Sequence, residues 1–181
     1  MHRSKINIKE ELLFDKGWYA LYTKSRHEKV VVSQIKDMGI KCYVPLKEVV
    51  SVWSDRKKII QKPLFPSYVF VYGDKKERYR AVQAEGAVMY ITFNGRPARV
   101  LQEEIDLIKR FLKEDKSVQP CECFHKGDLV EIIRGPLSGY KGILKEINNK
   151  YRFVVNIDSI NQALCVNISI NDIKPIEVGA C

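Results

Sequence analysis

The sequence predicts two small domains: an α+β domain whose antiparallel sheet is flanked by helices, followed by a small SH3-like β-barrel. Three observations carry this expectation. Residues 17–113 alternate short aromatic or β-branched runs with stretches whose apolar residues recur at helical spacing. Residues 114–124 are polar, include Pro120 and show no periodicity, which marks a linker. Residues 125–177 hold only short strand-like runs separated by close turn signals. Residues 1–16 read as a polar leader and 178–181 as a tail.

The first strand is the aromatic run Trp18-Tyr19-Ala20-Leu21-Tyr22, which has the composition of a buried strand. Over 25–38 the pattern changes: Val31, Ile35 and Met38 fall at helical spacing, with Arg26, Lys29, Gln34 and Lys36 elsewhere on the wheel. Gly39 is placed to end that helix at C′. Residues 40–44 form a second strand closed by Pro45. In 47–62, Val49-Val50-Ser51-Val52 and Ile59-Ile60 flank Ser54-Asp55-Arg56-Lys57-Lys58, which predicts a β-hairpin with a cationic tip. Residues 67–72 are the strongest strand, broken by Gly73-Asp74, and 75–85 read as a short helix turning Tyr79 and Val82 inward. Residues 88–93 and 96–100 pair across Asn94-Gly95, which supplies the positive φ angles of a type I′ turn. Leu101, Ile105, Ile108 and Leu112 mark a last helix, with no N-cap residue to fix its start. The C-terminal strands are expected at 129–133, 141–147, 152–157 and 163–168.

At 181 residues, 45% of them hydrophobic and 29% charged, the chain can bury a core and remain soluble. No apolar run approaches the roughly 20 residues that span a bilayer, and 1–16 lacks the apolar region of a signal peptide. A cytoplasmic location is expected. Cys42, Cys121, Cys123, Cys165 and Cys181 are an odd, scattered set that fits reduced thiols better than a disulfide framework. The formal charge of +9 is uneven: 14 Lys/Arg face 7 Asp/Glu up to Lys62, whereas the count from Lys126 onward is 7 against 6. A basic field in the first third attracts polyanions, although the same charges also suit a merely solvated surface.

The segment Lys62-Pro63-Leu64-Phe65-Pro66-Ser67-Tyr68-Val69-Phe70-Val71 is the most informative. From Tyr68 the strand is apolar on both faces, so both faces need cover. Two readings stand side by side: an ordinary core strand, or a strand that presents one aromatic face to a partner.

Trp18-Tyr19 together with Pro63-Leu64-Phe65-Pro66-Ser67-Tyr68 resembles the N-terminal domain of the NusG family of transcription elongation factors. Lys126-Gly127-Asp128-Leu129-Val130-Glu131-Ile132-Ile133-Arg134-Gly135-Pro136-Leu137-Ser138-Gly139-Tyr140-Lys141-Gly142 resembles a KOW motif. Its logic is a strand, then Gly135, Pro136 and Gly139 turning the chain, then Gly142 where a side chain crowds the barrel. The two blocks in this order are far more specific than a KOW motif alone. The resemblance implies that 17–113 binds the clamp helices of RNA polymerase, with Tyr22, Phe65, Tyr68 and Phe70 as the docking patch, and that pausing or termination is reduced. It also implies that the KOW domain, 125–177, recruits a further partner such as a ribosomal protein or a termination factor. The family usually carries Gly where Ser67 stands. That departure, with the Trp53-Ser54-Asp55-Arg56-Lys57-Lys58 hairpin, is similar to specialised antiterminators of surface-polysaccharide operons. The β-branched run 151–157 favours a resident barrel over a helical alternative state.

Nucleic-acid contacts are expected from Lys24 and Arg26 at the mouth of the first helix, and from Arg56, Lys57 and Lys58 at the hairpin tip. On the polymerase these face upstream or non-template DNA. Trp53 suits either stacking on an unpaired base or packing of the hairpin. Cys121-x-Cys123-x-His125 lacks a fourth ligand, so no metal and no cofactor are expected. No phosphate loop, zinc-protease motif or nucleophile elbow is present, so the chain reads as a monomeric binding protein with no catalytic residues. The competing reading is a ribosome-associated or general RNA-binding KOW protein, which the near-neutral charge after Lys126 counts against.

Overall fold

The computed structural model describes residues 16–52, 57–114, 118–121, 127–147 and 150–176. In chain order the elements are β1 (Gly17–Thr23), α1 (Glu28–Asp37), β2 (Lys41–Tyr43), β3 (Leu46–Val52), β4 (Lys57–Pro63), β5 (Tyr68–Gly73), α2 (Lys75–Ala81) and β6 (Ala87–Tyr90). They continue with β7 (Thr92–Phe93), β8 (Arg96–Pro97), β9 (Arg99–Val100), α3 (Gln102–Glu114) and β10 (Gln119–Cys121). The last are β11 (Asp128–Ile132), β12 (Lys141–Ile147), β13 (Lys150–Ile157), β14 (Gln162–Asn167) and β15 (Ile173–Pro175). Two compact units result: residues 16–44 with Pro66–Gln102, and Pro45–Phe65 with residues 103–176. No helix among the described residues is long and apolar enough to cross a membrane.

The first unit is an antiparallel sheet in the order β2-β5-β1-β6, with β9 also pairing the start of β1. Alternation along the strands divides their side chains between two faces. Leu21, Val69 and Val71 pack against Val31, Val32 and Ile35 of α1 and against Ala81 and Ala84 at the end of α2. Helix α1 is shorter than the expected 25–38 because Arg26 takes a positive φ of 63°, which no helix continues. Its end is as expected, with Gly39 at φ 73° beyond Met38.

Helix α2 starts on a capping box: Asp74 Oδ1 accepts the Glu77 N–H at 2.8 Å, and Glu77 Oε2 accepts the Asp74 N–H at 2.9 Å. That start sets the helical phase, which packs Val82 against the core as expected and corrects the expected place of Tyr79. Tyr79 faces outward, and Arg78 and Ala81 are the buried residues. Arg78 lies inside because its guanidinium covers the Tyr19 ring at 3.9 Å. The Asn94-Gly95 turn joins β7 to β8 with φ angles of 50° and 74°, as the sequence predicts.

In the second unit β3 and β4 form the expected hairpin, with Val50 opposite Ile59 and Val52 opposite Lys57. The Lys47 ammonium donates to the Val118 carbonyl at 2.6 Å. The C-terminal strands pair as a six-stranded antiparallel sheet in the order β10-β14-β13-β12-β11-β15. The described pairings leave β10 and β15 as edges.

Three expectations for this region are corrected. Part of the predicted linker is strand β10, because 119–121 finds the open edge of β14. That pairing sets Gln119 opposite Cys165 and Cys121 opposite Ala163, so the two cysteines are diagonal neighbours, and they form a disulfide across 44 residues. The thiols expected to be free are therefore bonded at this pair. Helix α3, assigned by sequence to the first domain, packs within the second unit. Its buried residues are Ile105, Ile108 and Phe111, with Phe111 taking the place expected of Leu112.

Candidate functional site

Residues whose side chains face away from α1 and α2 line up in three rows across the first sheet. The pairing places Lys41, Tyr72, Trp18 and Val100 in one row, and Tyr43, Phe70 and Ala20 in the next. The third is Tyr68, Tyr22 and Met89. Exposure is graded along this face. Trp18, Ala20, Phe70 and Val100 are buried, whereas Tyr22 keeps 39% and Met89 52% of their surface.

The buried rows are consolidated by specific contacts. Trp18 meets Tyr72 edge-to-face at 5.3 Å and donates from Nε1 to Gln102 Oε1 at 2.8 Å. The Lys41 ammonium sits 5.3 Å from the Trp18 ring and 5.0 Å from Tyr72. Tyr43 stacks on Phe70 at 6.3 Å, and burial pushes the Tyr43 hydroxyl pKa up to about 12.

The third row is open. Tyr22 and Tyr68 meet edge-to-face at 5.7 Å, and partial burial, then the neighbouring Tyr22, raises the Tyr68 pKa. The chain leaves this row into the Lys24–Arg26 turn, where the Lys24 N–H donates to the Gly86 carbonyl at 2.8 Å and both basic side chains are exposed. The strand before the row is entered through Ser67, which holds a positive φ of 66° while largely buried. Its backbone is held from two sides: Ser67 N–H donates to Glu28 Oε1 at 2.7 Å, and its carbonyl accepts the Thr23 N–H at 2.9 Å. Glu28 thus puts a buried carboxylate in the first turn of α1, where the helix dipole favours it. His27, the N-cap, makes no side-chain cap.

The predicted docking residues are therefore separated by burial. Tyr22 and Tyr68 come together at the surface and Met89 joins them. Phe65 and Phe70 are fully buried, and this corrects their expected place in an exposed patch. For Phe70 the reason is its row, with Ala20 on one side and the Tyr43 ring on the other. Met89 was missed because its neighbour Val88 has the same apolar character, and only the register of β6 decides which one shares the face of Tyr22. Lys57 and Lys58 are exposed near the end of the hairpin, while Trp53 and Arg56 lie outside the described residues. On the same hairpin Val50, Val52 and Ile59 are exposed.

The KOW turn behaves as its residues demand. Gly135 and Gly139 take φ of 83° and 89°, and Gly139 N–H donates to the Ile132 carbonyl at 2.8 Å. Pro136 lends its carbonyl to Arg110 Nη2 at 3.0 Å. A Cβ on Gly142 would stand 2.5 Å from the Val154 carbonyl oxygen and 2.7 Å from Phe153 Cζ. Of the Cys121-x-Cys123-x-His125 cluster, Cys121 is committed to its disulfide and the other two lie outside the described residues. Among the described residues no group of His, Cys, Asp and Glu could hold a metal ion.

Comparison with known proteins agrees with this architecture. Residues 16–109 match the family model described as transcription termination factor nusG, and 126–157 match the KOW motif. The chain is 25% identical over 177 residues to the transcription termination/antitermination protein NusG of Pseudomonas aeruginosa, across 89% of this chain and 99% of that protein. It is 24% identical over 164 residues to the protein of the same name from Escherichia coli K12, across 87% of this chain and 90% of that one. Among solved structures, one described as domain interaction in Thermotoga maritima NusG shares the fold, with a TM-score of 0.56 and 24% identity. It covers 91% of this chain and 99% of that chain.

Proposed function

This chain belongs to the NusG family of transcription termination/antitermination proteins, and on that premise we propose that it is a cytoplasmic elongation and antitermination factor, without catalysis of its own, that docks on RNA polymerase through its first sheet. The observation that carries this is the Tyr68–Tyr22–Met89 row, an apolar and aromatic surface at the end of an otherwise buried face. Aromatic side chains at the centre of an interface often contribute about 2 kcal/mol or more each. The surface suits a large apolar partner such as the clamp helices. Lys24 and Arg26, a few residues along the chain, then lie where phosphates of upstream or non-template DNA pass, giving contacts that weaken with salt. Lys57 and Lys58 on the hairpin contribute in the same manner.

The mechanism requires no bond chemistry. A factor that binds the closed clamp more tightly than the opened, paused one shifts the population towards elongation. The KOW unit, with its near-neutral surface charge, serves as the adaptor for a further protein such as a ribosomal protein or a termination factor. Ser67, with its φ of 66°, stands where Gly is the unstrained choice. We take this, with the basic hairpin, as support for a specialised antiterminator over a housekeeping factor.

Pull-down of core RNA polymerase tests the reading. Tyr22→Ala/Tyr68→Ala is expected to lower affinity at least about tenfold while its melting curve stays close to that of the wild type. Phe70→Ala is expected to lose about 3–5 kcal/mol of stability, as a fully buried ring does. Undiminished polymerase binding by the folded double variant would refute the docking face.

A further inference from the structure

The end of the first sheet that carries the open row is also where buried polar groups gather. Among the described residues, three of the four buried polar or charged side chains, Thr23, Glu28 and Ser67, lie at this end. Buried polar groups are costly unless their hydrogen bonds are made, so such a cluster holds one geometry and no other. The Glu28 carboxylate, in the first turn of α1, accepts the Ser67 N–H at 2.7 Å across 39 residues of sequence, and the Thr23 N–H donates to the Ser67 carbonyl at 2.9 Å. Positive φ angles meet at the same place. Asn94 and Asn161 are of the type that tolerates the left-handed region. Arg26 and Ser67 are not, and both flank the row: Arg26, at φ 63°, in the turn after β1, and Ser67, at φ 66°, immediately before Tyr68. Backbone held in this region persists only where surrounding contacts over-determine it.

We propose that Glu28 is a positioning residue for the docking row, its carboxylate clamping Ser67 in the left-handed conformation and so fixing how Tyr68 meets Tyr22. The inference rests on the polymerase-docking reading above. The clamp acts where the chain can yield. Leu64 and Phe65 before Ser67, and Val69 after it, are fully buried, whereas Tyr68 is half-buried and opens β5. An L-residue at this φ gains by rotating back to negative φ. Once released, Ser67 passes that rotation to Tyr68, and the 5.7 Å edge-to-face contact with Tyr22 is lost. Only molecules with the row assembled bind, so the apparent affinity falls with their fraction. The reach of the side chain makes the clamp, and its charge does not. Glu28→Asp keeps the charge that the helix dipole favours but is one methylene too short. Glu28→Gln loses the charge but keeps both the reach and an acceptor oxygen. A role confined to stabilising α1 predicts the opposite order.

Equilibrium binding of the full chain to core RNA polymerase, with aromatic NMR spectra of the free protein, provides the test. Glu28→Asp is expected to bind roughly tenfold more weakly and to shift the Tyr22 and Tyr68 ring resonances. Glu28→Gln is expected to stay within about threefold of the wild type. Glycine carries no strain at positive φ, so in a Ser67→Gly background Glu28→Asp is expected to change affinity by less than about twofold and to restore the ring resonances. Weaker binding by Glu28→Gln than by Glu28→Asp, or unmoved ring resonances in Glu28→Asp, overturns the proposal. So does a loss of binding or of folding in Glu28→Asp that Ser67→Gly does not rescue. Full binding by Glu28→Asp beside weak binding by Tyr22→Ala/Tyr68→Ala overturns the clamp alone, whereas full binding by Tyr22→Ala/Tyr68→Ala overturns the docking face and the clamp with it.

Discussion

The two sheets of this molecule treat their aromatic residues in opposite ways. In the second unit Phe153 and Tyr140 are covered by one helix. Phe111 of α3 stacks on Phe153 at 6.4 Å and meets Tyr140 edge-to-face at 5.4 Å. Arg110 lies 5.2 Å from the Tyr140 ring, and Glu104 accepts the Ser159 N–H at 3.5 Å. In the first unit the Tyr22–Tyr68 pair has the same edge-to-face geometry, yet Tyr22 keeps over a third of its surface. The contrast shows that ring-on-ring contact does not by itself separate core from surface. What separates them is whether another element of the chain completes the shell, and an incomplete shell leaves area for a partner.

That contrast can be broken or sharpened by experiment. Phe111→Ala is expected to cost the second unit about 3–5 kcal/mol in urea unfolding, several times the cost of Tyr22→Ala, and similar costs for the two would erase the distinction. Reduction of the Cys121–Cys165 disulfide, which closes 44 residues, is expected to cost that unit about 2–4 kcal/mol. Thermal melts with and without reductant check this, and the first unit, where Cys42 is a free thiol, is expected to melt unchanged.

Alkaline titration separates the units further. Burial raises the Tyr43 pKa from 10.0 to about 12 and also raises that of Tyr90, where Arg78 opposes the rise in part. A folded-state pKa above the unfolded value means that stability is intact below about pH 10 and falls as pH rises towards 12. Circular dichroism with tyrosinate absorbance is expected to show these rings ionising as the first unit loses structure. The smallest effect is expected at Ser67→Gly. Relief of the positive φ, less the extra freedom of glycine in the unfolded chain, stabilises the first unit by about 0.5–1 kcal/mol. Loss of stability on this substitution would mean that the Ser67 side chain matters more than its backbone.

Much of the fold was legible because it rests on local rules. The apolar, aromatic-rich runs at 18–22 and 67–72, the helical phase of Val31 and Ile35, and the type I′ turn at Asn94-Gly95 each depend on a few neighbouring residues. The candidate site was legible in part. Tyr22 and Tyr68 are expected from the family resemblance, and strand parity alone does not separate Tyr68 from Phe70, which shares its parity and is buried. Val82 packs against the core as the pattern predicts, whereas Tyr79 was misplaced because the pattern gives no weight to an arginine lying inward over a tyrosine ring.

By itself the sequence determined most element types outside 119–121, the antiparallel first sheet, the KOW strands and the family to which the chain belongs. These follow from residue patterns within reach of one another along the chain. Only the tertiary structure decided that α3 packs with the second unit, that 119–121 extends the sheet edge and joins Cys121 to Cys165, and that Met89 sits beside Tyr22. Each of these depends on register or packing between segments far apart in the chain. A register shift of one residue exchanges the two faces of a strand while leaving its composition unchanged, so local pattern carries no record of it.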